Sequence, residues 1–452
     1  MPPSHFYLIL AAFAAYFLCS GTTLRDRVLL YTLHHIEKSS IYEPAEQTLF
    51  EGAMTGLLLS ADDDYAMYVP PSGAADYENE LNNRFGGIGI RFAAEENQIN
   101  PVVSYPILGS PAAAAGIRSG DKILEVNGTV TENMPIEEIK KLISRETGEP
   151  VRLTLVHFGE TAPVPISVSV GIIQQDSVEG GYIDAAGHRV FRLETMPDVG
   201  YIRINAFTET TATETALALV KMSIPELDTS ESVAVKSFIL DLRDNPGGFV
   251  HTAAEVVRLF IEPSPQQNVI VTEKYRGGVR KRLTLRSGEV LCRLPMVVLI
   301  NGETASAAEI FAAALQDYHR AKIIGSRSFG KGVVQQVFEL PFELGIFQFT
   351  AASYLRPSGR NIHRLPDAKE SDIWGVMPDR EVKLPDEEMK TVMQWRNLCS
   401  NIVTENRSAV LAEFRNTFKE HKFKEHNEDT GSEPFFDPQL EKAIEVLRQE
   451  QH

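Results

Sequence analysis

Apolar residues divide the chain into segments of different texture. Phe6 to Cys19 reads FYLILAAFAAYFLC, an unbroken apolar run without a charge. It falls short of the roughly 20 residues that span a bilayer comfortably. It fits the h-region of an export signal or a membrane anchor, although the preceding MPPSH holds no Lys or Arg and no small-x-small cleavage site follows. The competing reading is a buried N-terminal helix. From 25 to 70, Val28, Leu29, Leu33 and Ile36 recur near helical spacing, and Phe50, Met54, Leu57 and Leu58 form a second stripe, so helices are expected. From Phe85 the pattern turns to short strands and turns. A Gly-rich turn, Phe85 to Gly89, runs into a strand. The alanine run Ala112 to Ala115 is a short helix stopped by Gly116. Ile123 to Val126 reads as a strand ended by the hairpin dipeptide Asn127-Gly128. A helix over Ile136 to Ile143 and a strand over Val151 to Val156 follow.

From about 180 to 380 short apolar strands alternate with helices. Val199–Ile204, Ser237–Leu242, Met296–Ile300 and a strand beginning at Lys322–Ile324 are the strands; His251–Phe260 and Ser306–Asp317 are helices. Continuous apolar strands separated by helices indicate an α/β core with a buried sheet. The tail from about 383 is charged and helical, ending in Leu440 to Leu447.

The length of 452 residues exceeds one ordinary core and suggests two or three domains. Hydrophobic residues at 43% and charged residues at 23% are a normal globular balance. The net charge of -17 argues against nucleic-acid binding, where attraction to phosphates supplies most non-specific affinity. Three cysteines, Cys19, Cys292 and Cys399, form no zinc-spaced cluster, and the sparse usage favours reduced or buried thiols over a Cys292–Cys399 bridge. Asp62-Asp63-Asp64 lacks the alternating ligands, Gly and distal Glu of a calcium loop, and reads as a solvated helix end. No metal or cofactor is expected.

Two Gly-rich segments directly follow buried strands: Asp241 to Gly248 (DLRDNPGG) and Asn301 to Glu309 (NGETASAAE). Ligand sites of open α/β sheets gather beyond the carboxyl ends of the strands. Ser306 sits at a strand-to-helix turn among small residues, where unpaired helix N–H groups favour an oxyanion. Taken alone, the segment favours Ser306 or Thr304 as only an N-cap, and no G-x-S-x-G elbow surrounds Ser306. A serine hydroxyl needs a base. His319 ends the same helix, about 20 Å away, and cannot serve. Lys331 lies between Gly330 and Gly332, and a lysine becomes a base when burial lowers its pKa. A phosphate-binding loop over Gly325 to Gly332 fails at Gly332, which has no hydroxyl, and runs into a strand-like stretch.

The stretch SPAAAAGIRSGDKILEVNG resembles a PDZ domain, whose carboxylate-binding loop falls on Gly86, Gly87 and Ile88. VVLINGETASAAEIFAAALQDYHRAKIIGSRSFGKGVVQQVFEL resembles the carboxyl-terminal processing proteases, a tail-specific Ser–Lys family. The resemblance covers about 25 to 382. It implies Ser306 as nucleophile, Lys331 as general base, and Gln335 as the residue that orients the lysine. Oxyanion donors would be the amides of Ala307 and of the glycine pair after Pro246, Gly247 first. The chain departs from the family at Ala308, where many relatives carry a second serine. It departs again at His157-Phe158-Gly159, where relatives often have Arg-Pro-Gly. Asp372 to Val376 is longer than the resemblance leads one to expect.

The expected architecture is an α/β crotonase-like protease core with an inserted PDZ domain and helical N- and C-terminal segments. Its boundaries are 1–24 signal or anchor, 25–84 helical, 85–160 PDZ, 161–382 core and 383–452 helical. The expected function is a serine endopeptidase that cuts unfolded or C-terminally exposed polypeptides after PDZ capture; the alternative is a catalytically silent PDZ peptide-binding protein. The protein is expected to be exported, either periplasmic or anchored outside the cytoplasm. The oligomeric state is open, with a homodimer through the helical ends as one option.

Overall fold

The computed structural model describes residues 23–93, 99–184, 186–223, 233–278, 280–402, 407–419 and 437–450. The apolar run Phe6 to Cys19 lies outside them. Among the described residues no helix is long and apolar enough to cross a membrane. The chain divides into two compact units: residues up to 74 with 335–350, and residues 75–334 with 351–452.

In the smaller unit, Leu24–Ser39 and Glu46–Leu59 are helices, as the two stripes imply. Leu58 is buried, while Val28, Leu29 and Leu57 stay more than half exposed. Met67–Val69 pairs antiparallel with the strand Ile346–Leu355. Asp63 is not a solvated helix end: its carboxylate accepts the Thr350 N–H (2.6 Å) and hydroxyl (2.8 Å).

The larger unit carries the sheet expected of an α/β core. β1 (Met196–Ile204), β2 (Ser237–Asp241), β3 (Met296–Ile300), β4 (Lys322–Gly325) and β5 (Arg380–Glu381) run parallel in that order. Strand side chains alternate between faces. Phe238, Leu240, Met296, Val298 and Ile300 join the core beneath α1 (Thr211–Ser223), α2 (Val250–Arg258) and α3 (Ala307–Asp317). Ile239, Val297, Leu299 and Ile324 face the other way, against Ala443, Val446 and Leu447 of the C-terminal helix Pro438–Glu450. The tail therefore covers a sheet face that would otherwise be wet, at about 1.5–3 kcal/mol per large apolar side chain buried. Every residue of α3 from Ala307 to Leu315 is buried, as befits a helix apolar all round.

The 85–160 region forms the expected turns and strands. Lys122–Val126 meets Thr129–Val130 through Asn127 and Gly128, both at positive φ, and Ile136–Ile143 is a helix. Gly86 and Gly87 do not form the turn that the sequence suggests. They end a strand, Arg84–Gly87, paired with Gly171–Gln174. The turn comes at Gly89, where a Cβ would lie 2.2 Å from Ser110 Cβ. His157, in place of the family arginine, faces Asp121 (3.0 Å), whose carboxyl is raised by burial. No disulfide joins Cys292 and Cys399.

Candidate active site

Parallel register sets the site. Asp241 stands opposite Leu299, and Ile300 opposite Gly325, so β2, β3 and β4 end side by side. The turns that follow them, 242–249, 301–306 and 326–332, are thereby gathered at one edge of the sheet. The run 325–332 continues into the strand Val333–Glu339, which is incompatible with a phosphate loop opening a helix.

Ser306 takes the N-cap position of α3, but its backbone is at φ 55, ψ -118. An N-cap is ordinarily extended. A non-glycine residue in this region is strained, at a cost of order 1–3 kcal/mol, and such strain clusters at functional sites. This is a sharp strand-to-helix elbow reached without the G-x-S-x-G pattern. The room comes from across the sheet edge. A Cβ on Gly247 would lie 2.7 Å from Ser306 Cβ and 3.0 Å from the Ala307 nitrogen, so only glycine fits there. Ala305 N–H donates to Asn245 O (2.9 Å), which ties the two turns together.

Of the two expected oxyanion donors, Ala307 is the first helical residue, and its amide has no intrahelical acceptor. The Gly247 N–H donates to Asn245 Oδ1 (2.8 Å), so a role as oxyanion donor requires that bond to open.

The Lys331 loop is stitched to both neighbours. Phe329 N–H donates to Thr304 O (2.9 Å) and Arg364 N–H to Gly330 O (2.8 Å). Tyr354 hydroxyl donates to Lys331 O. Asp372 to Val376, unexplained by the sequence, is the support of this loop. Val376 N–H donates to Ser328 Oγ (2.7 Å), and the Trp374 ring lies against Gly330 and between the guanidinium groups of Arg327 and Arg364. Lys331 is partly buried.

Sequence reasoning missed Glu309. Its carboxylate is fully buried. One oxygen accepts the Ser306 N–H (2.9 Å) and the Lys331 N–H (2.8 Å); the other accepts Ser328 Oγ–H (2.6 Å) and the Gly330 N–H (2.7 Å). One carboxylate thus holds the main chains of the candidate nucleophile and the candidate base side by side. Burial pushes its carboxyl up to about 7, against the pull of these four donors. The S-x-x-E spacing of Ser306 and Glu309 is a capping-box signature that would have placed Glu309 on the Ser306 amide. Nothing local pointed to Gly330 and Lys331.

Asp241 and Asp244, at the end of β2 and on the turn beyond it, are paired with arginines. Burial alone would raise Asp241, but Arg243 and Arg396 hold it far below the usual carboxylate range. Asp244 pairs with Arg396 (2.6 Å). His363 Nδ1 accepts the Gly332 N–H (3.4 Å), placing an imidazole one residue beyond Lys331. Gln335 opens the smaller unit, where its side chain donates to Thr350 Oγ1 (3.3 Å). Gly86 and Gly87 lie in their paired strand, and Ile88 is buried.

Residues 198–382 match Peptidase family S41, and residues 102–156 match the PDZ domain family. The chain is 34% identical over 344 residues to the carboxy-terminal-processing protease of Bartonella bacilliformis, covering 76% of this chain and 71% of that one. It is 32% identical over 350 residues to carboxy-terminal processing protease CtpA of Bacillus subtilis, with coverages of 77% and 67%. A relative in Synechocystis, the carboxyl-terminal-processing protease, is 30% identical over 335 residues, with coverages of 74% and 71%. A mixed α/β chain with these matches is a serine-type peptidase, a hydrolase acting on polypeptides. It belongs to the carboxy-terminal-processing protease family and carries that family's PDZ domain.

Proposed function

We propose that the protein cleaves peptide bonds by a Ser–Lys mechanism. Ser306 Oγ attacks the scissile carbonyl while Lys331, neutral in the free enzyme, takes its proton and passes it to the leaving amine. The Ala307 amide, with one from the Gly247–Gly248 turn, stabilises the oxyanion. The observation that carries this reading is the shared Glu309 carboxylate, which binds the Ser306 and Lys331 amides to one oxygen. The part of Gln335 in orienting Lys331 rests on the family resemblance alone, as does a crotonase-like description of the core. Ser306→Ala is expected to release no peptide from fluorescent casein while keeping the wild-type melting temperature. A wild type that releases none either would favour the silent-binding alternative, and turnover by Ser306→Ala near the wild-type rate would place catalysis elsewhere.

We further propose that the PDZ region captures substrate by its carboxyl end at Gly86, Gly87 and Ile88, with the peptide adding to a strand edge. An unfolded polypeptide with a free C-terminus should then show a KM about tenfold below that of the same chain amidated, a difference of about 1.4 kcal/mol. Equal KM values would remove the capture role. Export, with Phe6 to Cys19 as signal or anchor, belongs to the same proposal, and fractionation of expressing cells tests it.

A further inference from the structure

The 242–249 turn that faces Ser306 is held from behind by the tail. Arg243 stands on this turn between Asp241, the last residue of β2, and Asp244. Arg243 donates to Asp241 (2.7 Å) and, from the C-terminal segment, is met by Asp437 (2.9 Å) and Gln439 (3.1 Å). Its guanidinium contacts do not include Asp244. Among the described residues the cation on Asp244 is Arg396, from the helix α4 (Asp386–Asn401). Arg396 Nη2 donates to Asp244 Oδ2 (2.6 Å), and Nη1 to both oxygens of Asp241 (3.3 and 3.1 Å). Arg396 is 7% exposed.

Asp244 is the hinge of the turn. It sits at φ +64, a left-handed conformation that Asp and Asn tolerate better than other side chains. Its other carboxylate oxygen accepts Asn301 Nδ2 (2.5 Å), and its own N–H donates to Asn301 Oδ1 (3.0 Å). Asn301 opens the loop that leads to Ser306. The contacts Arg396–Asp244–Asn301 therefore join the two turns between which an oxyanion would sit. The helix that aims Arg396 is itself fixed: Leu398 and Ile402 share a buried cluster with Tyr105 and Ala93 of the PDZ region. Removing Arg396 leaves Asp241 its partner Arg243 but strips Asp244 of its cation, so the effect concentrates on the turn.

We infer that Arg396 is a positioning residue for the reaction, holding the 242–249 turn in register with the Ser306 loop through Asp244. It lies beyond residues 198–382, the stretch matched by the peptidase family. The inference rests on the reading of Ser306 as nucleophile. It assigns the tail a part in catalysis as well as in covering the sheet.

The test is steady-state cleavage of a short peptide blocked at both ends, which engages the active site alone. Arg396→Met keeps an unbranched stem without the guanidinium and suits a buried site; Asp244→Asn keeps the left-handed backbone. The Asn301 amide cannot turn to accommodate the second change, because its Oδ1 is held by the amides of Asp244 and Glu303. Each variant is expected to lower kcat about 10- to 100-fold with KM within about threefold, as misplacement of reacting groups does. The double variant should be no worse than the poorer single one, since both act along the one Arg396–Asp244–Asn301 line of contacts. Arg396→Lys, which cannot reach both carboxylates with a planar fork, should not restore the rate. If Arg396→Met does not fold, Asp244→Asn decides alone. A kcat for Asp244→Asn within about twofold of wild type, losses that multiply in the double variant, or a change confined to KM would each overturn the inference. Ser306→Ala, run alongside, keeps the two failures apart: turnover there overturns the nucleophile, whereas an inactive Ser306→Ala with a wild-type Asp244→Asn overturns only the role of Arg396.

Discussion

Lys331→Ala is expected to lose at least about 10⁴-fold in kcat/KM while melting like the wild type, the scale seen when one member of a nucleophile–base pair is removed. The side chain is partly buried and leaves a glycine-flanked loop held by Thr304, Tyr354 and Arg364 through main-chain contacts. Truncating it should therefore spare the loop. Lys331→Arg should be equally inactive, because a guanidinium stays protonated in a protein. The rate of the wild type should climb with pH, and no step near 6.5 should depend on a histidine. The rival base is His363, whose Nδ1 accepts the Gly332 amide one residue beyond Lys331. A pH profile of kcat/KM on a neutral peptide separates them. A limb near 6.5 that disappears in His363→Gln would mean that the imidazole, not Lys331, takes the proton.

Glu309→Gln is expected to cost at least about 100-fold in kcat with little change in KM. Four donors converge on this carboxylate, and three of them are backbone amides that cannot turn round. A carboxamide offers one oxygen. Its NH₂ must face either the Ser306 and Lys331 amides or the Gly330 amide, so one of the two loops has to give way. A kcat within about threefold of wild type would show that the loops hold their places without the carboxylate.

The same substitution has a signature in stability. Burial raises Glu309 to about 7, above the ordinary value near 4.3, so the folded protein binds this proton more tightly than the unfolded chain does. The ionised group therefore weighs against stability above pH 7. That penalty is relieved as pH falls through the folded value toward the unfolded one. Its full size is on the order of 3 kcal/mol. Urea unfolding of both proteins at about pH 5 and about pH 7.5 should show the wild type gaining on Glu309→Gln at the lower pH. A difference that stays constant between the two would mean that the four donors outweigh the burial.

Much of the fold was legible because burial writes itself into local pattern. MVVLI is an unbroken apolar run and SFILD is apolar through its middle three residues, as strands covered on both faces require, and they became the central strands β2 and β3. The helix Ile136–Ile143 and the Asn127-Gly128 turn fell where periodicity and turn chemistry put them. The Gly86-Gly87 reading failed for a related reason: a glycine pair signals backbone freedom, not the partner strand Gly171–Gln174 that arrives from 85 residues downstream. Asp63 likewise gave no sign of Thr350.

The candidate chemistry divides along the same line. Ser306 and Lys331 could be named from residue type, neighbouring small residues and family resemblance, all of which are properties of short stretches. The sequence by itself also determined that these stretches follow buried strands, and hence that they belong at a sheet edge. Only the tertiary structure decided what holds them there. Glu309 reaches Gly330 and Lys331 because β3 and β4 are neighbours; Arg396 reaches Asp244 because a tail helix seats beside the end of β2; and Trp374 lies under Gly330 because β5 pairs with β4. Hydrogen bonds and ion pairs act over about 3 Å between atoms whose separation along the chain carries no signal. They become readable only after strand order has brought those atoms together.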